Sequence, residues 1–252
     1  MQDFQFKDKY DAYDLVKIMQ LLRAPGGCPW DAEQTHQSIK KNLIEETYEV
    51  IEAINKDDKA LMCEELGDLL MQVVFHALME QESGVFDFDD VADGVCKKLI
   101  ERHPHVFGEV SVSGVDDVLT NWDAIKRKSK GQKTTTESML SVPRELPALM
   151  RATKLQKKAA DVGFDWSDAS GALDKVDEEA AELRAAVANQ DKENIAEELG
   201  DLLFSAVNVS RFVKVDAEEA LTAASDKFLL RFTEVERMAA ERGIDMKTAG
   251  IE

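Results

Sequence analysis

The stretch Glu45–Leu70, EETYEVIEAINKDDKALMCEELGDLL, decides the reading of the whole chain, because it occurs twice. Laid without gaps over Glu178–Leu203, EEAAELRAAVANQDKENIAEELGDLL, at a constant offset of 133, it is identical at 13 of 26 positions. Unrelated segments of this length share about two identities at ordinary residue frequencies. Many of the matches are chemical rather than merely apolar: Glu45, Glu46 and Glu49 fall over Glu178, Glu179 and Glu182, and the run Glu64–Leu70 falls over Glu197–Leu203.

The similarity extends outward. Gly27–Trp30 and Gly163–Trp166 share G-x-x-W, and Lys98 and Arg102 match Lys227 and Arg231 as K-x-x-x-R. The chain therefore reads as two tandem copies of one helical domain, over 1–128 and 146–252, joined by a polar, Thr-rich linker over 129–145. Apolar spacing near 3.6 predicts helices over 10–23, 36–55, 58–82, 88–102 and 116–129, then over 146–161, 170–189, 192–213 and 216–242. No segment alternates like a strand, and 13 Gly with 5 Pro are too few turns for an all-β sandwich. The expected fold class is all-α: a tandem repeat of two helical-bundle domains.

Composition narrows the function. Lys and Arg number 31 against 50 Asp and Glu, so the net charge is −19. Such a chain is expected to avoid nucleic acid and anionic membrane. The N-terminal MQDFQFKDKY has no signal-peptide core, and no apolar run approaches a membrane span. Cys28, Cys63 and Cys96 are far apart with no CxxC pair, which suits a reducing cytoplasm.

The repeated acids carry the chemistry. Glu46 and Glu49 share one helix face, as do Glu65 and Asp68 on the next helix. The short Asn55–Asp58 connection predicts an antiparallel hairpin, in which opposed residues have a constant index sum. Here 46 + 68 and 49 + 65 both equal 114; in the second copy 179 + 201 and 182 + 198 both equal 380. Four carboxylates thus converge twice. Acids on helices usually coat a solvated face, but these abut Leu66, Leu69, Leu70 and Val73, which are expected in the core, and the quartet recurs. Hard carboxylate oxygens select Mg²⁺ or Mn²⁺. The second helix reads E-x-x-D rather than the E-x-x-H of a di-iron bundle. Gly67 and Gly200, each costing about 1 kcal/mol inside a helix, point to close approach by a helix, metal or ligand. Lys175 lies one turn before Glu179 and borders the second cluster. The repeated pairs Lys98, Arg102 and Lys227, Arg231 suit a polyphosphate. His36, His76, His103 and His105 occur only in the first half, outside the repeated machinery. A rival class is a helical scaffold whose acid clusters hold structural Mg²⁺ or Ca²⁺.

E-E-x-x-E followed by E-E-L-G-D, together with G-C-P-W-D at Gly27–Asp31, R-H-P-H-V-F at Arg102–Phe107 and L-P-A-L-M-R-A at Leu146–Ala152, resembles the MazG family of nucleoside triphosphate pyrophosphohydrolases over nearly the whole chain. The resemblance implies a helical-bundle homodimer and Mg²⁺-dependent cleavage of NTP to NMP and pyrophosphate. It also implies broad base tolerance and a role in clearing aberrant nucleotides or tuning nucleotide pools. Carried over residue by residue, Glu179, Glu182, Glu198 and Asp201 would be metal ligands, with Glu46, Glu49, Glu65 and Asp68 in the first copy. Lys175, Glu178, Glu197, Lys227 and Arg231 would line the nucleotide site. The position of Glu178 beside the ligand pair suits it as the water-orienting base. In the first copy Lys98 and Arg102 are joined by Trp122 and Lys126, a pair the second copy lacks. Asn194 stands where a Lys is typical, and Asn42 stands where the second copy has Lys175. Family precedent makes the second domain the catalytic one.

Overall fold

The computed structural model describes residues 4–115, 117, 118, 121, 122, 125 and 131–248. The chain divides into two compact units, Met1–Ile125 and Lys126–Glu252. All regular structure among the described residues is helical, and no helix is long and apolar enough to cross a membrane.

In the first unit α1 spans Ala12–Arg23, α2 Pro29–Glu33, α3 Lys40–Asn55, α4 Lys59–Glu82, α5 Phe88–Arg102 and α6 Pro104–Phe107. Helices α1, α4 and α5 start at acidic caps, Asp11, Asp58 and Asp87, which satisfy free N–H groups of the first turn. Asp11 with Asp14 and Asp87 with Asp90 form reciprocal capping boxes on α1 and α5. In the second unit α7 spans Thr135–Leu140, α8 Ala148–Ala160, α9 Ala169–Asn189, α10 Lys192–Phe212 and α11 Ala217–Arg242. Helix α7 lies within the stretch expected as linker. Thr134 and Glu137 close a capping box there, a start signal present in the sequence that the Thr-rich composition masks. The helix expected over 116–129 falls mostly outside the described residues, and Lys126 lies wholly outside them.

Each unit is organised by a hairpin, α3–α4 or α9–α10, and both turns are built alike. Asp57 and Gln190, again 133 apart, take left-handed φ values of 52° and 56°. The next residue, Asp58 or Asp191, donates its N–H to the carbonyl of Ala53 at 3.1 Å or Ala186 at 3.3 Å. Its side chain then caps the following helix. Ala53 and Ala186 are both 0% exposed, so the turn closes over a position where only a small side chain fits. That chemistry explains why Ala and Asp persist at these places while the neighbouring turn residues differ.

The first unit's core lies between α1 and α4: Met19, Val74, Phe75, Leu78 and Met79, with Ile39 brought in by the 34–39 turn. This turn is why α3 begins at Lys40 and not at 36. Arg23 ties the layers together. Its guanidinium forks onto both oxygens of Glu82 at 2.7 Å and donates to the Asp31 and Gln34 carbonyls. Its Cζ sits 5.2 Å from the Phe75 ring centroid.

One expectation is corrected. Leu66, Leu70 and Val73 do not enter the core; they are exposed beside a half-buried Leu69, as are Leu199 and Leu203 in the second copy. Helix α4 is apolar on two faces, and α1 covers only the face carrying Val74, Phe75 and Leu78. Of the approaches expected at Gly67 and Gly200, a neighbouring helix is not found among the described residues, none of whose atoms lies within 4 Å of where a Cβ would stand.

Replacing Arg23 with Ala leaves Glu82 and the Gln34 carbonyl without their donor and takes one of two donors from the Asp31 carbonyl. We expect a loss of about 2–3 kcal/mol, the range for hydrogen bonds to charged groups, read as a lower urea midpoint. Arg23→Lys recovers only part of it, because one ammonium cannot serve three acceptors in fork geometry.

Candidate active site

The hairpins deliver the acids as the index sums require. One carboxylate oxygen from each of Glu46, Glu49 and Glu65 lies within 4.8 Å of the other two. Glu179, Glu182 and Glu198 form the same triad in the second unit. Asp68 and Asp201 stand one turn along, outside the triads but within their field: Asp68 acts on Glu46 and Glu65, and Asp201 on Glu198. Burial, with its neighbouring carboxylates, pushes each of Glu46, Glu65 and Glu198 above the ordinary glutamate range. Convergent anions held in this way form a site for a cation, and an all-oxygen donor set fits a hard one.

The copies differ at the next level of the hairpin. There 42 + 72 equals 114 and 175 + 205 equals 380, so Asn42 faces Gln72 while Lys175 faces Ser205. In the first unit buried Gln72 donates its Nε2 to Glu46 Oε1 at 3.4 Å. In the second, Lys175 Nζ lies 2.6 Å from Glu179 Oε1 and 3.1 Å from Glu178 Oε2. The hydrogen bond to Glu179 raises the Lys175 pKa above its ordinary value, so the cation is locked in. Glu179 is buried, at 6% exposed. Sequence reading found Lys175 but missed Gln72, although its position four residues beyond Asp68 placed it on the same face.

The remaining candidates are placed less closely. Glu197 is exposed on α10, and Lys227 and Arg231 are exposed on α11. Helix α11 packs against α8, and among the described residues neither cation pairs with the acidic cluster. Lys98 is exposed on α5. Arg102 Cζ sits 5.7 Å from the Trp122 ring centroid, and His103 meets the same indole edge-on at 4.9 Å. The histidines stay apart from the acids. His36 and His76 stack at 5.0 Å with Nδ1 atoms 2.7 Å apart, and His36 Nε2 reaches Glu80 at 2.8 Å, pinning the 34–39 turn to α4.

Comparison with known proteins places the chain in a family. Residues 34–107 and 170–235 each match the MazG nucleotide pyrophosphohydrolase domain. The chain is 48% identical over 243 residues to the nucleoside triphosphate pyrophosphohydrolase of Escherichia coli K12, covering 94% of this chain and 92% of that one. It is 45% identical over 239 residues to the nucleoside triphosphate pyrophosphohydrolase/pyrophosphatase MazG of Thermotoga maritima, covering 95% and 91%. It is also 50% identical over 238 residues to the uncharacterized protein YabN of Bacillus subtilis, covering 93% of this chain but 48% of that longer one. With two matched domains, each holding its acidic triad on the hairpin, the chain belongs to the MazG family.

Proposed function

We propose that this protein is a Mg²⁺-dependent nucleoside triphosphate pyrophosphohydrolase. It converts NTP and water to NMP and pyrophosphate, tolerates several bases, and works chiefly through its second unit in nucleotide-pool housecleaning. The observation that carries the reading is the paired set of convergent carboxylates, with a buried-side cation, Lys175, in one set only. A triphosphate cannot approach these acids unless positive charge lies between. Bound Mg²⁺ would neutralise the phosphate oxygens and acidify a water. Glu179, Glu182, Glu198 and Asp201 would hold it through carboxylate oxygens; Mn²⁺ offers the same coordination preferences.

The chain's own groups do the rest. Lys175 fixes Glu179 and Glu178 through two of its three N–H donors and keeps one for a phosphate oxygen. Glu178 accepts the proton of the water that attacks the α-phosphorus. Lys227 and Arg231 stabilise the departing pyrophosphate. In the first unit a neutral amide occupies the place of that cation, so its acids bind metal with less hold on phosphate, and Lys98, Arg102 and Trp122 serve nucleotide binding rather than turnover.

The working form is a homodimer or larger. Helix α11 exposes Phe228, Leu229, Leu230, Phe232 and Val235, more apolar surface than a lone helix leaves in water. A second copy that covers this face could bring Lys227 and Arg231 to the acids of its partner.

Wild-type protein incubated with Mg²⁺ and each of the four NTPs should release NMP and pyrophosphate, and chelator should abolish the release. Orthophosphate with NDP as main products overturns the reading, and binding of Mg²⁺ without hydrolysis favours a scaffold. Glu179→Ala and Asp201→Ala should each lower kcat by at least about 10²-fold, a usual loss for an electrostatic group at the reacting centre, whereas Glu46→Ala should cost far less.

Because burial raises Glu198, its charge opposes folding at neutral pH when no cation is bound. In chelator Glu198→Gln should therefore melt above wild type. Saturating Mg²⁺ should reverse the order, since only the intact cluster gains binding energy. A wild type that melts higher under both conditions counts against a metal site.

Asp201→Ala and Arg231→Ala, each inactive alone, should regain about a quarter of wild-type activity when unfolded together and refolded as an equal mixture, the value for random pairing of two-fold dimers with shared sites. No recovery means that each site is complete within one chain.

A further inference from the structure

One face of α4 carries a polar row that the acidic cluster does not use. Gln72, His76 and Glu80 follow Asp68 at intervals of four residues, so they lie on one side of the helix. At the offset of 133 the second unit has Ser205, Val209 and Val213 in their places, and Asn208 and Arg211 of the same helix line a cavity of about 430 Å³. The histidine and its following glutamate are therefore particular to the first unit.

The protons along this row can be placed. The rings of His36 and His76 are parallel to within 5° and point their Nδ1 atoms at each other at 2.7 Å. The 5.0 Å between ring centres is the most that such a contact permits, so the two nitrogens face each other in line. His36 Nε2 lies 2.8 Å from Glu80 Oε1; a carboxylate accepts, so that nitrogen carries a proton. Burial, with His36 alongside, lowers the His76 pKa and favours its neutral ring. With both rings neutral, His36 Nδ1 is bare and accepts the proton of His76 Nδ1, which leaves His76 Nε2 bare as well. That nitrogen is buried with no hydrogen-bond partner. One turn earlier Gln72, 4% exposed, donates its Nε2 to Glu46, and its Oε1 is likewise buried with no partner. Two acceptors cannot satisfy each other, and such atoms in a native structure point to a missing ion, ligand or water.

One change satisfies both. A cation between the two Nδ1 atoms takes both lone pairs, and the His76 proton moves to Nε2 with none released. His76 then presents a donor one turn from the Gln72 acceptor. His36 keeps its Nε2 proton and its bond to Glu80, the carboxylate–histidine–metal arrangement that holds a ligating imidazole in place. Two nitrogens 2.0–2.1 Å from a tetrahedral ion stand about 3.3 Å apart, so the rings part by about 0.6 Å. His36 sits on the 34–39 turn with its side chain 41% exposed, which gives the ion a path in and leaves room for waters to complete its coordination. Neutral imidazoles select late first-row divalent ions such as Zn²⁺ over Mg²⁺.

We propose that His36 and His76 form a site for a late first-row divalent cation, bound at the two Nδ1 atoms with Glu80 orienting His36. The ion fastens the 34–39 turn, and Ile39 with it, to α4. The site stands apart from the acidic clusters, which suit hard ions, and is independent of their reading as triphosphate sites.

Long-range proton–nitrogen NMR of the ¹⁵N-labelled full chain in saturating Mg²⁺ tests this, because only four histidines contribute signals. His103→Gln and His105→Gln assign the other two. Adding Zn²⁺ should move His36 Nδ1 and His76 Nδ1 to the metal-bound range and transfer the His76 proton from Nδ1 to Nε2. In calorimetry Glu80→Gln should weaken Zn²⁺ binding at the histidines by at least about tenfold, the usual cost of losing the carboxylate behind a ligating histidine, and His76→Ala should remove it. Zn²⁺ that leaves both rings' signals in place, or shifts only one of them, overturns the site. So does a proton transfer on His76 that appears on acidification but not with Zn²⁺, which assigns the junction to a proton. Should His76→Ala fail to fold by circular dichroism, the wild-type signals and Glu80→Gln decide.

Discussion

Repulsion between carboxylates on facing helices is the constraint around which each unit is built. Two antiparallel helices joined by a short turn cannot avoid bringing Glu46, Glu49 and Glu65 together, or Glu179, Glu182 and Glu198. The hairpin holds despite that charge because its opposite side is fixed by other means. A left-handed residue, a buried alanine and a capping aspartate close the turn, and acidic caps start the neighbouring helices. Stability and function pull in opposite directions here, as expected where a site is prepared for a cation that folding alone does not require.

The copies resolve the same conflict differently. One places a neutral amide, Gln72, against its first glutamate; the other places a cation, Lys175. An amide relieves an acceptor without changing the charge of the cluster, whereas an ammonium lowers that charge and retains a donor for an incoming anion. The surroundings have diverged in step. The first unit has a packed core fastened by Arg23 and by the His36–His76–Glu80 chain. The second has lost those fasteners and gained space next to its cation.

The apolar surface left exposed belongs to the same logic. Leu66, Leu70 and Val73 beside the first acids, Leu199 and Leu203 beside the second, and the outer face of α11 all face solvent. Burying such side chains gives roughly 25 cal/mol per Å², and a chain that leaves them open is suited to a further layer of helices. The glycines inside both E-x-x-D motifs, which no described neighbour approaches, lie on this open side of the hairpin.

Much of this was legible in the sequence. Helix periodicity is local, so the hairpin helices were placed to within a few residues, and α3 departed only because the 34–39 turn is held by a distant core. The index sums located the converging acids because an antiparallel hairpin leaves no freedom in which residues meet. The sequence by itself therefore determined the all-α fold class, the repeat and the acidic clusters. Only the tertiary structure decided which apolar face of α4 is covered, that Gln72 turns to Glu46, that among the described residues Lys227 and Arg231 form no ion pair with the acids of their own unit, and that Asn208 and Arg211 line a pocket where Phe75 and Leu78 fill a core. These outcomes depend on contacts between residues far apart in the chain, and a periodic pattern on one helix carries no information about which of its faces another element will cover.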